Sequence, residues 1–81
     1  MIHKFQNIYG ISYVVSQDLK NYKEEFKKLI QDILNDKKFP FSEIYVKMPI
    51  NYSQKFMELL WDSELKYKEV GTKKEIFMVK F

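Results

Sequence analysis

Hydrophobic and polar positions change their period along this chain, and each change marks an element. The opening residues alternate, with Ile2, Lys4 and Gln6 set against His3, Phe5 and Asn7, the period-two pattern of a strand. Ile8 to Ser16 is rich in β-branched and aromatic residues and predicts a second strand. A turn near Gln6 and Asn7 would make the two a hairpin, and Gly10 inside the second strand points to a bulge or a close backbone approach. The period then shifts to that of a helix, with Tyr22, Phe26, Leu29, Ile30, Ile33 and Leu34 on one stripe. Asn21 and Glu24 have the spacing of a capping box. Glu24 and Glu25 suit the positive end of the helix dipole, Lys37 and Lys38 the negative end, and Pro40 blocks continuation.

Alternation returns from Ser42 to Ile50. It places Ile44, Val46, Met48 and Ile50 on one face and Tyr45 and Lys47 on the other, with Pro49 marking the end. Asn51 and Gln54 repeat the capping-box spacing, and Tyr52, Phe56, Leu59 and Leu60 form a second helical stripe that Met57 and Trp61 widen into a well-buried helix. Leu65 to Val70, a turn from Gly71 to Lys74, and Glu75 to Phe81 read as a closing hairpin. The order ββαβαββ predicts one α/β (α+β) domain over residues 1–81, a mixed sheet of about five strands covered by two helices. The strand–helix–strand unit from Ile8 to Ile50 is expected to be a right-handed parallel crossover.

Composition narrows the chemistry. The chain has 81 residues, 46% of them hydrophobic and 17% aromatic, enough for one small, dense core. Cys is absent, which excludes a disulfide scaffold, a thiolate zinc site and a cysteine nucleophile. No apolar run reaches the ~20 residues of a membrane helix, and Met1-Ile2-His3-Lys4 opens no signal peptide, so a cytoplasmic protein is expected. His3 is the single His and lacks neighbouring carboxylates at ligand spacing, which reads as an exposed strand residue and not as a metal ligand. The Ser and Thr residues stand in no nucleophile motif, and Gly10 and Gly71 make no phosphate loop.

Net charge is +3, and all fourteen basic residues are Lys. Without Arg, the fork that pairs bidentately with guanine or phosphate is missing. Tyr45-Val46-Lys47, Lys66-Tyr67-Lys68 and Lys73-Lys74 interleave aromatics with cations, as single-strand binders do. The same alternation covers apolar surface on an exposed strand and discourages edge pairing, and that plainer account takes precedence over nucleic-acid binding.

From about residue 8 to residue 81 the chain resembles the closing half of the GNAT acyltransferases. The matching stretches are Leu29-Ile30-Gln31-Asp32-Ile33-Leu34, Ile44-Tyr45-Val46-Lys47, Asn51, Tyr67-Lys68-Glu69-Val70-Gly71 and Phe77-Met78-Val79-Lys80, with Gly10 suiting the bulge where that family splays its sheet. The resemblance implies an acetyl-CoA site in which backbone around Tyr13, Val14 and Val15 pairs with pantetheine, Asn51 holds it, and Lys20 lies near the pyrophosphate. Gln17 to Glu25, however, contains no Gly, and two carboxylates at the helix start would repel phosphate. No Tyr occurs from Glu58 to Leu60, where the resemblance would place a general acid, and the opening half of the family's fold is missing. Asn51 has a second account as a helix cap.

The expected function is therefore a non-catalytic, macromolecule-binding protein on a truncated GNAT-like domain, of the kind phages and mobile elements use against host machinery. A protein partner is expected, contacted through Tyr45, Lys47, Trp61, Lys66, Tyr67, Lys68, Lys73 and Lys74, with Tyr9 as a further exposed aromatic. The alternative is a minimal N-acyltransferase using acetyl-CoA, and weak nucleic-acid binding ranks third. A homodimer through the first strand is compatible with either the binding module or the acyltransferase.

Overall fold

A computed structural model of the chain describes residues 1–7, 10–36, 44–73 and 75–80. The elements run β1 (Ile2–Asn7), β2 (Gly10–Val15), α1 (Tyr22–Asn35), β3 (Ile44–Lys47), α2 (Ile50–Trp61), β4 (Lys66–Val70) and β5 (Ile76–Lys80). The ββαβαββ order expected from the periodicity is the observed one. The strands form one mixed sheet in the order β1-β2-β3-β5-β4. β2 and β3 are parallel across α1, and the other three pairs are antiparallel. Expectations that fall on Ile8, Tyr9, Lys37, Lys38, Pro40, Ser42, Lys74 and Phe81 lie outside the described residues.

Residues directly opposite one another in a ladder point to the same side of a sheet, so the register sorts every strand into two faces. Ile11 aligns with Ile44 and Val79, and Tyr13 aligns with Val46 and Phe77. All six are buried, and with Val15 they form the floor of the core. From α1, Phe26, Leu29, Ile30 and Ile33 pack on that floor, and from α2 Phe56 and Leu60 do the same. Phe56 joins the layers, its ring 5.4 Å from that of Phe26 and 5.8 Å from that of Phe77. Both helices therefore lie on one face, as their stripes require.

Several local expectations are corrected. The β1–β2 ladder runs unbroken from Ile2↔Val15 to Asn7↔Gly10, so Gln6 and Asn7 are ladder residues and not the turn, and Gly10 makes no bulge there. Gly10 instead adopts a φ of 154°, open chiefly to a residue without Cβ. Neither capping box forms. Asn21 is the N-cap of α1 through its backbone, its carbonyl accepting from the Glu25 N–H at 3.0 Å, without a side-chain cap bond. α2 starts one residue before Asn51, with Pro49 at the N-cap, and Gln54 donates to Glu58 instead. Ile50 belongs to that helix and is 60% exposed, because Pro49 ends the strand before the alternation can carry Ile50 inward. Trp61, expected to widen the buried stripe, is also exposed, since it lies at the last position of α2 beyond the reach of the sheet.

Candidate functional site

The second face of the sheet carries no helix among the described residues. Its middle row runs Phe5, Ser12, Tyr45, Met78 and Lys68 across the five strands, and the next row runs His3, Val14, Lys47, Ile76 and Val70. On the other side of the middle row Lys66 stands directly opposite Lys80. Val14, Tyr45, Ile76 and Met78 are half-buried by their neighbours, while Phe5 is 59% and Val70 37% exposed. His3, Lys47, Lys66, Lys68 and Lys80 are all exposed. No Asp or Glu points to this face from the described strand residues, because Glu69 pairs with Phe77 and so belongs to the helix side. The result is an apolar, partly aromatic centre bordered by four ammonium groups.

The lysines are not arranged for stability. Like charges directly opposite in a ladder repel, and Lys66 and Lys80 occupy such a pair with Lys68 two residues along. None of the three forms an ion pair with a described residue. A shallow depression of 120 Å³ lies among them, lined by Lys66, Tyr67, Lys68, Met78 and Lys80. An anion set there would relieve the repulsion that the fold leaves in place.

The eight residues proposed from sequence for a partner divide between places. Tyr45, Lys47, Lys66 and Lys68 meet on the open face. Tyr67 lies on the helix side, its ring 5.8 Å from Phe77 and its hydroxyl accepting from the Trp61 indole N–H at 2.6 Å. Trp61 and Tyr67 thus form a separate exposed corner beside the end of α2. Lys73 is in the β4–β5 turn, which Gly71 opens with a φ of 84°, and Lys74 lies outside the described residues. Phe5 and Lys80 join the face although neither is among the expected partner contacts. The alternation of the first and last strands is the signal that points to them.

The residues tied to acetyl-CoA by resemblance lie in several places, the sheet's two faces, the loop before α1 and the first turn of α2. Val14 faces the open side and Tyr13 and Val15 the core. Tyr13 and Val14 pair with β1 on one side and β3 on the other, so the two parallel strands do not splay at these positions. Lys20 is exposed in the loop before α1, and Asn51 is exposed in the first turn of α2. The Tyr52 hydroxyl meets the loop carbonyls of Gln17 and Leu19 at 3.1 and 3.3 Å, fastening α2 to the segment that leads into α1. Glu24 and Glu25 occupy the first turn of α1, where they oppose an incoming phosphate.

A polar cluster closes the other end of the helix face. Tyr13 donates to Asp32 Oδ2 at 2.5 Å, and Lys4 Nζ approaches Asp32 at 3.2 Å and Asp36 at 3.8 Å. Burial, then the hydrogen bond to Asp32 and the charges of Asp32 and Asp36, push the Tyr13 hydroxyl well above the ordinary tyrosine range. The same bond holds the Asp32 carboxyl below its usual value, opposed by burial and aided by Lys4. This links edge strand β1 and β2 to α1, a structural role. The Asp32 contribution is present above the unfolded pKa and is lost as pH falls through the folded value. That of Tyr13 is present below about 10 and is lost as pH rises through its folded value. Tyr13→Phe is expected to cost about 1–2 kcal/mol near neutrality and to raise the Asp32 pKa toward the usual range. Denaturant melts combined with an NMR titration of the carboxyl check both effects, and an unchanged Asp32 titration would remove the bond from the account.

A further groove, of 640 Å³, lies on the helix side and is lined by residues of both charge signs including Lys27, Asp62 and Glu64. No cluster of His, Asp and Glu suited to a metal ion occurs among the described residues. Compared with protein-family models, curated proteins and solved structures, the chain matches none.

Proposed function

We propose that this chain is a non-catalytic binding domain, a truncated GNAT-like framework whose open sheet face takes up an acidic macromolecule. The observation that carries the reading is the composition of that face, an apolar centre with Lys47, Lys66, Lys68 and Lys80 around it and no described carboxylate. Apolar contact supplies affinity at the centre of such a patch, and the charged border selects the sign of the partner and speeds its approach. A second copy docked face to face would set lysines against lysines with no described carboxylate to neutralise them, which argues against self-association through this surface.

Two further features support binding without catalysis. The backbone that the acyltransferase alternative would offer to pantetheine is engaged by β3 at Tyr13 and Val14. The start of α1 is acidic where that alternative needs to accept pyrophosphate. The order of elements from β2 onward is the one the family resemblance implies, and it serves here as scaffold.

A titration of the protein with polyglutamate at low salt, followed by side-chain methyl NMR, tests the reading. Saturable shifts confined to the open face are expected. A titration that moves no signal, or sedimentation showing a dimer closed through this face, would overturn it.

A further inference from the structure

Resting on the reading that the open sheet face binds an acidic macromolecule, we infer that its partner is single-stranded nucleic acid, held by base stacking on Phe5 and Tyr45 and by phosphate contacts to Lys47, Lys66, Lys68 and Lys80. An acidic protein could use the rings as ordinary apolar contacts, whereas single-stranded nucleic acid has a matching partner for both the exposed ring row and the cations beside it. Unpaired bases match the rings, because every base offers a π-face and stacking on an aromatic is indifferent to sequence.

The placement of the rings fits that use. Phe5 is the most exposed large apolar residue of the sheet strands and shares a row with Tyr45, two strands away. At about 4.8 Å per strand the two side chains originate roughly 10 Å apart, and the whole row from β1 to β4 spans about 19 Å. Such a platform accommodates a few splayed nucleotides, at the lower end of the site sizes of about 4–16 found for single-strand binders. Lys66, Lys68 and Lys80 cluster on β4 and β5, and Lys47 lies on β3, so a strand crossing the rings meets cations along its path.

The form of the nucleic acid follows from the same surface. A duplex keeps its base faces stacked inside, and a broad five-strand sheet enters neither groove in the way a helix or a two-stranded ribbon does. The absence of Arg removes the bidentate contact that most often reads guanine. Recognition is therefore by stacking and point charges, tolerant of sequence and strongly dependent on salt.

The experiment compares a fluorescent oligothymidylate, the same sequence as a duplex with its complement, and polyglutamate, on the intact chain and on Phe5→Leu. Leucine retains apolar volume at an exposed strand position but has no ring, so the fold is kept and the stacking lost. With four phosphate contacts, log K for the single strand should fall with log salt at a slope of about −3, roughly a 50-fold loss between about 50 and 200 mM. Phe5→Leu should weaken the oligothymidylate about 10-fold and polyglutamate by far less, because leucine keeps the apolar contact and loses only the ring. Equal affinity for polyglutamate and oligothymidylate, both indifferent to Phe5→Leu, would overturn the inference while leaving the acidic-partner reading intact. Preference for the duplex would also overturn it. Failure of every polyanion to bind at low salt would remove both.

Discussion

Replacing Phe56 with alanine is expected to cost about 3–5 kcal/mol, among the largest losses a single truncation in this core should produce. The residue is fully buried, and its ring links α2 to both Phe26 on α1 and Phe77 on β5. Each aromatic pair adds about 0.5–1.5 kcal/mol beyond the area buried. A domain of this length has a total stability of roughly 4–12 kcal/mol, so the loss is comparable with the whole. Among the described residues one sheet and one layer of two helices enclose the core, so little else can close over the void. Urea unfolding followed by circular dichroism gives the test, with Phe56→Leu expected to lose less, about 1–3 kcal/mol, because it keeps most of the volume and forfeits the two ring contacts. Equal midpoints for the two variants would place the joint between helices and sheet elsewhere.

The second large effect concerns binding and has the opposite sign for stability. Lys68→Glu with Lys80→Glu is expected to weaken any polyanion about 100-fold or more, since each change removes one attraction and adds one repulsion. The same pair of changes turns the Lys66–Lys80 opposition into an attractive cross-strand pair, which should stabilise the sheet by about 0.2–1 kcal/mol. A surface kept for stability alone would lack this antagonism. Measuring affinity and unfolding on one preparation checks it, and a variant that is less stable and binds as before would contradict the role given to these lysines.

Much of the architecture is legible in the sequence because period two and period 3.6 are hard to confuse over long runs. The stripe from Tyr22 to Leu34 could only be a helix, and the alternation from Ile44 to Lys47 only a strand. Element ends were less legible. Spacing alone suggested that Asn21 and Asn51 cap their helices by side chain, but capping also requires particular backbone angles, and Pro49 took the position before α2. Ile50 shows the same competition, a strand pattern overruled by proline's fixed geometry.

The open face could be read only in fragments. Alternation separates Tyr45 and Lys47 from Ile44 and Val46, but it does not say which face a helix will cover. Bringing Lys66, Lys68 and Lys80 beside Tyr45 requires β5 to lie between β3 and β4, a strand order that local pattern does not encode. Tyr67, between two of those lysines in the chain, goes to the opposite side for the same reason that they share one, the two-residue period of a strand. Trp61, the single Trp, lies at the helix end with Tyr67, away from the lysines.

The most direct test of the central claim uses that alternation as its ruler. Val14, Val70, Ile76 and Met78 carry methyl groups on the open face, whereas Ile11, Val46 and Val79 carry theirs in the core beneath the helices. Methyl NMR during a polyglutamate titration at low salt should move the first set, saturably and together, and leave the second in place. Shifts centred on α1 and α2, with the open-face methyls unmoved, would put the binding surface on the wrong side of the sheet and contradict the account.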